Sequence, residues 1–574
     1  MSWRAGFGAV AVGIAVSAAG ADFDIMLDPG RKPIRDARQS TCGPLVGYAG
    51  CLSGVGNDDR YFFGEGREAT SAICRESGAW FQRMWSANAW FAKRNEAKKG
   101  SCPDLAFRFW KDNGIKVLFT LEAWGGDKSK QEIIEFVDFI VSNKYESVVA
   151  GFELGNESYF GKPSDMPNLC KTWSAVIREI RKRMPKVPLG LPICEYFELN
   201  PDLAQIRARC TDKEMLTQTG YFTARRGSQA SAAMILCRSN ALHALSHVIY
   251  HAYGAETPYS CSYYGIQRFR NFAEGFPEIK GKPMWLSEIR MRSDEDNRCQ
   301  RIFREALIMA HFSLMAISQP DVDGFNQHQF SNIAGAFHMS NGKTWNVQWR
   351  DAGGEYPDYR APEGKPRFEV GAMGVMYRIL AEAIKGHPIF LEHGTSKEQG
   401  TEDSFYTSAR VCDQVYARRD ALKEGRKPFL GIFGGVPEVE GEVEWVAALS
   451  ADKNELCLLM VNSKNEEMSC EVTLKGRQFA APTYIALSCP AEYVDCRAVP
   501  GEGRWWRQVG WEDTQTGYET WTNWEAIDGG QRYEPLPSKV RPKCDTLTVR
   551  IAPHTVQSVT VRTRGVPKAK AEKK

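Results

Sequence analysis

The sequence predicts an α/β fold, a (β/α)8 barrel (TIM barrel) followed by a C-terminal all-β sandwich domain. Between about Gly43 and His387, short apolar runs alternate with amphipathic helical stretches, which indicates βαβ units around a parallel sheet. Eight such runs over this length match an elaborated barrel. After His393 the chain changes to short β segments separated by turn residues, which is typical of a sandwich.

The eight barrel strands are expected where a few apolar residues stand together and end at turn signals. They fall at 44–48, 80–85, 115–121, 147–154, 187–193, 247–253, 283–288 and 322–327. Helical periodicity predicts helices between them, for example at 130–142 and 170–184. A closing helix is expected over 369–385, because Gly386 and Pro388 just beyond it are helix-stop residues.

The C-terminal part has six strand-like runs, at 445–449, 456–461, 471–474, 483–487, 547–551 and 555–561. We therefore expect a signal peptide at 1–21, a barrel over 35–390 and a β-sandwich over 391–562. A strand within 22–34, at Phe23–Leu27, could complete the sandwich and make that domain discontinuous. The tail at 563–574 is charged, lacks apolar anchors and is expected to be disordered.

The N-terminus predicts export, because Arg4 precedes an apolar run of small residues and Ala19-Gly20-Ala21 offers a cleavage site before Asp22. The run is too short for a good membrane span, so a secreted or periplasmic protein is expected; an uncleaved anchor is the alternative. The 16 cysteines all follow that site, and most are expected to form disulfides. A formal charge of +3 indicates no nucleic-acid or membrane-surface partner.

Two of the predicted barrel strands end at a glutamate. The run VVAGFEL leads into Asn156 and Glu157 at the fourth strand, and KPMWLS leads into Glu288 at the seventh. Carboxylates are rarely placed at the end of a buried strand without a partner or a task. Active sites of such barrels lie at these strand ends, and two facing carboxyls are what glycosidic bond cleavage requires. A buried ion pair is the alternative for each glutamate taken alone.

These motifs resemble the clan A retaining glycoside hydrolases, and the barrel with a following sandwich resembles families 39, 51 and 79. The resemblance spans most of 35–562 and implies that Glu157 is the general acid/base and Glu288 the nucleophile. It also implies that Asn156 binds the sugar 2-hydroxyl. Arg83, at the end of the second strand, would hold the nucleophile ionised, with a salt bridge to Glu153 as the alternative or additional role.

Further candidate residues stand near the same rim. His251 and Tyr253, in VIYHAYG, resemble sugar-binding and nucleophile-orienting residues of the clan, although a packed histidine and a core tyrosine remain open. Glu122, in TLEAWGG, could contact substrate or pair with an arginine. Trp345 or Trp349 could replace a tryptophan that the eighth strand lacks, or both could merely pack their loop. The acid/base motif continues with Ser158, where many clan members have proline.

A metal site is the competing interpretation of the histidines. His243, His247 and His251 are spaced four apart, and on one helix they would share a face and could bind zinc. The strand pattern of VIYHAYG argues against that helix. No HExxH or CxxC motif supports it either, so no metal or cofactor is expected.

The sequence thus favours a secreted retaining glycoside hydrolase that acts on an oligo- or polysaccharide. Arg290 and Arg292 would suit a uronic-acid-containing or otherwise anionic glycan, although barrel-rim ion pairs are the more usual role of such arginines. The alternative function is a non-catalytic carbohydrate-binding protein on a degenerate barrel. The sugar, the linkage, exo or endo action and the oligomeric state are not encoded in these patterns.

Overall fold

The computed structural model describes 21–43, 45–49, 67–94, 102–124, 126–158, 165–193, 234–235, 244–254, 276, 278–291, 303–328, 337–340, 367–396, 443–489, 497–499, 504–508, 512–513, 519–520, 524–528, 532–533 and 545–565. Structural statements below concern these residues.

Eight parallel strands close into a barrel, which confirms the predicted fold class. Two short strands precede it, β1 (Phe23–Leu27) and β2 (Arg35–Asp36). The barrel strands are β3 (Val46–Ala49), β4 (Phe81–Met84), β5 (Lys116–Leu121), β6 (Val149–Leu154), β7 (Leu189–Pro192), β8 (His247–Gly254), β9 (Met284–Met291) and β10 (Val322–His328). Each lies within a few residues of a predicted run, and β10 pairs with both β9 and β3 to close the ring.

Helices cover the outside of the barrel. They are α1 (Arg67–Glu76), α2 (Ala87–Arg94), α3 (Cys102–Asp112), α4 (Asp127–Ser142), α5 (Met166–Arg183), α6 (Phe303–Ile317) and α7 (Ala372–Gly386). The closing helix α7 starts later than the predicted residue 369. Arg367–Val370 instead forms a strand, β12, which pairs with β11 (Phe337–Ser340).

A tryptophan fills the lower part of the barrel interior. Trp285, on β9, is fully buried and packs in one apolar cluster with Ile249 of the neighbouring β8 and Phe81 of β4. A Cβ on Gly151 would lie 2.4 Å from the Trp285 ring, so glycine is needed on β6 at this level. His247 stacks on the same indole at 3.9 Å between ring centroids. The lower barrel is therefore a packed core around this indole, and the stacked His247 is held by a hydrogen bond to Asp323 (2.9 Å).

The C-terminal part forms two facing sheets, as expected for a sandwich. The larger sheet contains seven strands and the smaller contains β1 and two others; a separate three-stranded sheet and a separate two-stranded pair also lie in this part of the chain. The additional strands are β13 (Ile389–Thr395), β14 (Val443–Leu449), β15 (Glu455–Asn462), β16 (Met468–Leu474), β17 (Arg477–Ser488), β18 (Arg497–Val499), β19 (Arg504–Gln508), β20 (Glu512–Asp513), β21 (Glu519–Thr520), β22 (Trp524–Asp528), β23 (Arg532–Tyr533), β24 (Thr546–Ile551) and β25 (Thr555–Gly565).

The N-terminal strand joins this C-terminal unit. β1 pairs in parallel with β16, which pairs in turn with β24. The seven-stranded sheet also includes β2, and its strand β13 runs across residues 390 and 391. The domain limits drawn from the sequence, before residue 35 and after residue 390, remain a prediction. Strand pairing crosses both limits, because β2 lies after the first limit, β13 spans the second, and the two strands pair with each other.

The seven-stranded sheet is buried on both faces. Trp445 and Leu458 face the smaller sheet, whereas Val446 and Leu459 join the core shared with the barrel helices. Glu444 lies in this second interface, fully buried, and accepts hydrogen bonds from His311 on α6 (2.8 Å) and His393 on β13 (2.7 Å). The two histidines thus connect a barrel helix to the sheet through one carboxylate.

Four cysteines are buried free thiols: Cys42, Cys74, Cys457 and Cys470. The predicted disulfide pairing is wrong for these four, because each lies in a packed core away from a second sulfur. Nine of the 16 cysteines lie outside the described residues. Among the helices that the structure describes, none is long and apolar enough to span a membrane.

Candidate active site

The motif that contains Asn156 and Glu157 forms a tight turn at the end of β6. Gly155 has φ +96°, and a Cβ there would lie 2.2 Å from the Ser158 hydroxyl oxygen, so only glycine fits. Glu157 itself has φ +47°, a left-handed conformation that non-glycine residues rarely adopt. Strained residues of this kind concentrate at functional sites. The turn places the Glu157 side chain at the barrel mouth with 29% of its surface exposed.

A fully buried arginine connects β4 to both glutamate strands. The Arg83 guanidinium donates through Nε to Glu153 Oε2 (2.6 Å) and through Nη2 to Glu153 Oε1 (2.9 Å). It also donates through Nη1 to Glu288 Oε1 (2.5 Å) and through Nη2 to Asn156 Oδ1 (2.7 Å). The two roles considered for Arg83 therefore coexist, since it bonds Glu153 and Glu288 simultaneously.

The charges of this cluster stabilise one another. Burial alone would lower the pKa of Arg83, but the carboxylates of Glu153 and Glu288 outweigh it and raise that pKa. Burial would raise the pKa of Glu153, yet Arg83 and His251 lower it. Thr120 donates a further hydrogen bond to Glu153 Oε2 (3.0 Å). Glu153 is therefore a carboxylate held in place from three sides.

His251 lies between the two candidate catalytic glutamates. Its Nδ1 is 3.1 Å from Glu157 Oε1 and 3.6 Å from Glu288 Oε2, and its Nε2 is 3.0 Å from the Ser287 hydroxyl. Burial alone would lower the pKa of His251. The negative charge of Glu288 and hydrogen bonds to Glu153 and Glu157 raise it to about 9. At neutral pH the ring is therefore an imidazolium that donates to its neighbours.

The two glutamates that the sequence singled out face one another across the mouth. One carboxylate oxygen of Glu157, one of Glu288 and one ring nitrogen of His251 all lie within 4.8 Å of each other. Retaining glycosidases keep their two carboxyls about 5–5.5 Å apart, whereas inverting enzymes leave a wider gap for water. This limit on the oxygen–oxygen distance lies nearer to the retaining separation than to the wider inverting one.

The same three side chains have the donor types and spacing of a possible metal site. Two features disfavour a cation there. Arg83 already donates to Glu288, and the pKa of His251, raised to about 9, means that a metal would have to displace its proton. Of the alternative set of His243, His247 and His251, His247 bonds Asp323 at 2.9 Å and His251 contacts Glu157 at 3.1 Å, whereas His243 lies outside the described residues.

Glu122 lies at the adjacent strand end and touches the turn that carries Asn156 and Glu157. Its Oε1 accepts a hydrogen bond from the backbone N–H of Asn156 (3.2 Å). Burial, chiefly, raises the pKa of Glu122 to about 7. Asn88 binds the Glu122 backbone twice, donating to its carbonyl (3.1 Å) and accepting from its N–H (2.8 Å). These contacts of Glu122 are hydrogen bonds to Asn88 and to the backbone of Asn156, not the arginine pair that was considered. The other role considered, a contact with substrate, stays a prediction.

Most of the predicted site residues meet at this mouth: Arg83, Glu122, Asn156, Glu157, His251 and Glu288. Tyr253 belongs to β8, but its side chain lies outside the described part of the structure. Trp345 lies outside the described residues altogether, as does Arg292, and so does the side chain of Arg290.

Three features were not selected from the sequence. Ser287 was treated only as part of a strand, although its hydroxyl contacts His251. The side-chain amide of Asn326 on β10 is buried, and among the described residues no partner contacts either of its polar atoms. Trp85 and Trp124 follow β4 and β5 and are 61% and 49% exposed. Their position directly after strand ends was the available signal.

Comparison with known proteins shows the fold. No protein-family model matches the chain, and no curated protein does. Among solved structures, an α-L-arabinofuranosidase from Thermotoga maritima is similar, with a TM-score of 0.53 and 10% identity over 94% of this chain and 100% of that one. A family 51 α-L-arabinofuranosidase from Bifidobacterium longum has a TM-score of 0.52 and 10% identity over 95% and 100%. A family 51 arabinofuranosidase from Xanthomonas axonopodis pv. citri has a TM-score of 0.50 and 11% identity over 94% and 100%. The expected fold, a barrel with a β-rich C-terminal part, is thereby confirmed.

Proposed function

We propose that the chain is a retaining glycoside hydrolase that cleaves an oligo- or polysaccharide by double displacement. The observation that carries the proposal is the pair of facing glutamates, with oxygens within 4.8 Å and with Glu288 bound to a buried arginine. The spacing suits direct attack by a carboxylate on an anomeric carbon. The similarity in fold to three arabinofuranosidases supports the same reaction class.

In the first step, Glu288 is the nucleophile. Arg83 occupies Oε1, so Oε2 is the oxygen that attacks the anomeric carbon while the bond to the leaving oxygen breaks. Glu157 gives its proton to that leaving oxygen. Asn156 accepts from Arg83 through Oδ1, which orients its NH2 group to donate to the sugar 2-hydroxyl. The product is an ester between Glu288 and the sugar.

In the second step, Glu157 changes from acid to base. It takes a proton from water, the water oxygen bonds to the anomeric carbon, and the Glu288 carboxylate leaves with the electrons of the ester bond. Because the centre is inverted twice, the product keeps the anomeric configuration of the substrate. Glu153 keeps Arg83 paired while Glu288 carries no charge.

Two substitutions test these roles with opposite signatures. Glu288→Gln should abolish turnover of 4-nitrophenyl glycosides while substrate still binds. Glu157→Ala should abolish turnover of substrates with poor leaving groups, retain part of it on dinitrophenyl glycosides, and regain rate with azide, which needs no base. Normal turnover by Glu288→Gln would refute the nucleophile assignment. The first panel includes α-L-arabinofuranosides, β-xylosides and uronic-acid-containing glycans.

The alternative is a carbohydrate-binding protein without activity. A barrel that had lost catalysis would have no reason to keep a buried arginine bonded to the nucleophile position or a strained Glu157. Binding of a glycan by the wild-type chain without turnover on any member of the panel would favour this alternative.

We further propose that the protein is exported, on the basis of the apolar run after Arg4 and the Ala19-Gly20-Ala21 site. The mature chain would then begin at Asp22, whose carboxylate accepts from Ser469 and so fixes the start of β1. N-terminal sequencing of the exported protein should start at Asp22. A retained leader would contradict the proposal.

A further inference from the structure

Two exposed tryptophans stand at one side of the barrel mouth. Trp85 directly follows β4 and is 61% exposed, and Trp124 follows β5 and is 49% exposed. Among the described residues, the other large hydrophobic side chain that is this exposed is Met26, which lies on β1 of the sandwich. Large apolar faces left in water near a cleft mark binding surfaces more often than single scattered residues do.

The two tryptophans belong to one surface because β4 and β5 are paired neighbours. Adjacent strands lie about 4.8 Å apart, so residues that follow their ends start close together. The segments are also bound to each other, because Asn88 makes two hydrogen bonds to the Glu122 backbone. The Trp85 indole lies near the Glu122 carboxyl group and offsets part of the rise in its pKa. The surface is therefore held in shape before a ligand arrives.

This surface adjoins the catalytic pair. Trp85 lies two residues after Arg83, and Trp124 lies two residues after Glu122, which accepts a hydrogen bond from the N–H of Asn156. Ser86 has φ +48°, so the chain turns sharply directly after Trp85 and leaves the indole at the rim. An indole face beside a carboxyl group offers an apolar plane and a hydrogen-bond acceptor together.

We propose that Trp85, Glu122 and Trp124 form a subsite for a second sugar unit, next to the one that is cleaved. The ligand class is a neutral sugar ring within an oligosaccharide, because the C–H face of such a ring packs on an indole and its hydroxyls bond a carboxyl group. This inference rests on the proposed glycosidase function. It adds that the substrate is longer than one sugar joined to a small aglycone.

The test compares short and long substrates in Trp85→Ala and Trp124→Ala. The measured quantity is the ratio of kcat/KM on arabino- and xylo-oligosaccharides to kcat/KM on the corresponding 4-nitrophenyl monoglycosides. We expect this ratio to fall about tenfold or more in each variant, equivalent to about 1.4 kcal/mol. Trp85→Phe keeps an aromatic face and should recover most of the ratio. Met26→Ala removes an equally exposed apolar side chain on the sandwich and serves as the matched control.

Ratios within twofold of wild type in both alanine variants, or the same fall in Met26→Ala, would overturn the subsite. If the wild type hydrolyses no glycoside, the proposed reaction fails, and the subsite is then tested by calorimetric titration of the same oligosaccharides. Binding by wild type that weakens in Trp85→Ala and Trp124→Ala, but not in Met26→Ala, would support it. Unchanged binding, or none by wild type, would refute it.

Discussion

The charge of Glu153 should matter more for the reaction than its hydrogen bonds. Glu153 shares Arg83 with Glu288, the proposed nucleophile: Glu153 bonds Nε and Nη2 while Glu288 bonds Nη1. In Glu153→Gln one negative charge disappears, and Arg83 is left with Glu288 as its only carboxylate partner in the cluster. The nucleophile is then held more tightly in its ionised ground state, and the positive charge that develops on the sugar loses a stabilising neighbour.

The magnitude follows from Coulomb's law. A unit charge about 6–8 Å from the reacting centre, at an effective dielectric constant of about 20, contributes about 2–3 kcal/mol. The first step of Glu153→Gln should therefore slow by about 30- to 150-fold. Thr120→Val is the matched control, because it removes a neutral hydrogen bond to Glu153 Oε2 and keeps the charge. Its cost should stay near 1 kcal/mol, or about fivefold.

The assay is kcat/KM on aryl glycosides, corrected for the folded and active fraction by thermal unfolding and active-site titration. The correction is needed because Glu153→Gln leaves a buried arginine with less compensation, and breaking a buried pair costs about 3–5 kcal/mol of stability. Equal rate losses in Glu153→Gln and Thr120→Val, or a fully active Glu153→Gln, would refute the reasoning from charge.

Three further predictions concern the stability of the protein and the turn that contains Gly155 and Glu157. The pKa of His251 is raised from 6.5 to about 9, so protonated His251 stabilises the folded state fully below about pH 6.5, and this contribution is lost as pH rises through about 9. The difference in unfolding free energy between wild type and His251→Asn, measured by urea unfolding, should therefore shrink by about 3 kcal/mol over that range. A difference that stays constant with pH would contradict this prediction. Glu444→Gln should lower the unfolding free energy by about 3–5 kcal/mol, because it breaks the buried bridge to His311 and His393. Arg562→Ala breaks an exposed pair with Glu455 and should cost at most about 1 kcal/mol. Similar melting temperatures for the two variants would contradict this prediction. Gly155→Ala should cost about 1–3 kcal/mol and reduce kcat, since its Cβ would meet the Ser158 hydroxyl, and adding Ser158→Ala should recover part of the loss; no recovery would assign the whole effect to the positive φ.

The barrel was predictable because its strands are encoded locally. Buried parallel strands are nearly continuous apolar runs, and runs such as 147–154 and 322–327 stand out without knowledge of their neighbours. The predicted start of the last barrel helix, at Glu369, is wrong because Arg367–Val370 forms a strand. That strand pairs with Phe337–Ser340, some thirty positions earlier in the chain. Local periodicity does not report such a partner.

The site was predictable where a residue marks a strand end and less so where its role depends on a distant side chain. Glu157 and Glu288 interrupt apolar runs, and a known clan pattern includes them. Glu153 is a charge inside a strand, and its importance depends on Arg83, which lies 70 positions earlier. Cysteine pairing failed for Cys42 and Cys470 for a similar reason: a count of cysteines contains no distances.

The most direct test of the account is the configuration of the first product. Proton NMR of a freshly started reaction, recorded before the sugar equilibrates between its anomers, reports the configuration at the cleaved carbon. Oxygens of Glu157 and Glu288 lie within 4.8 Å of each other, which is nearer to the separation of retaining enzymes than to the wider gap that admits water, so retention is predicted. Release of the inverted anomer would show that Glu288 does not attack the sugar, and would contradict the double-displacement proposal.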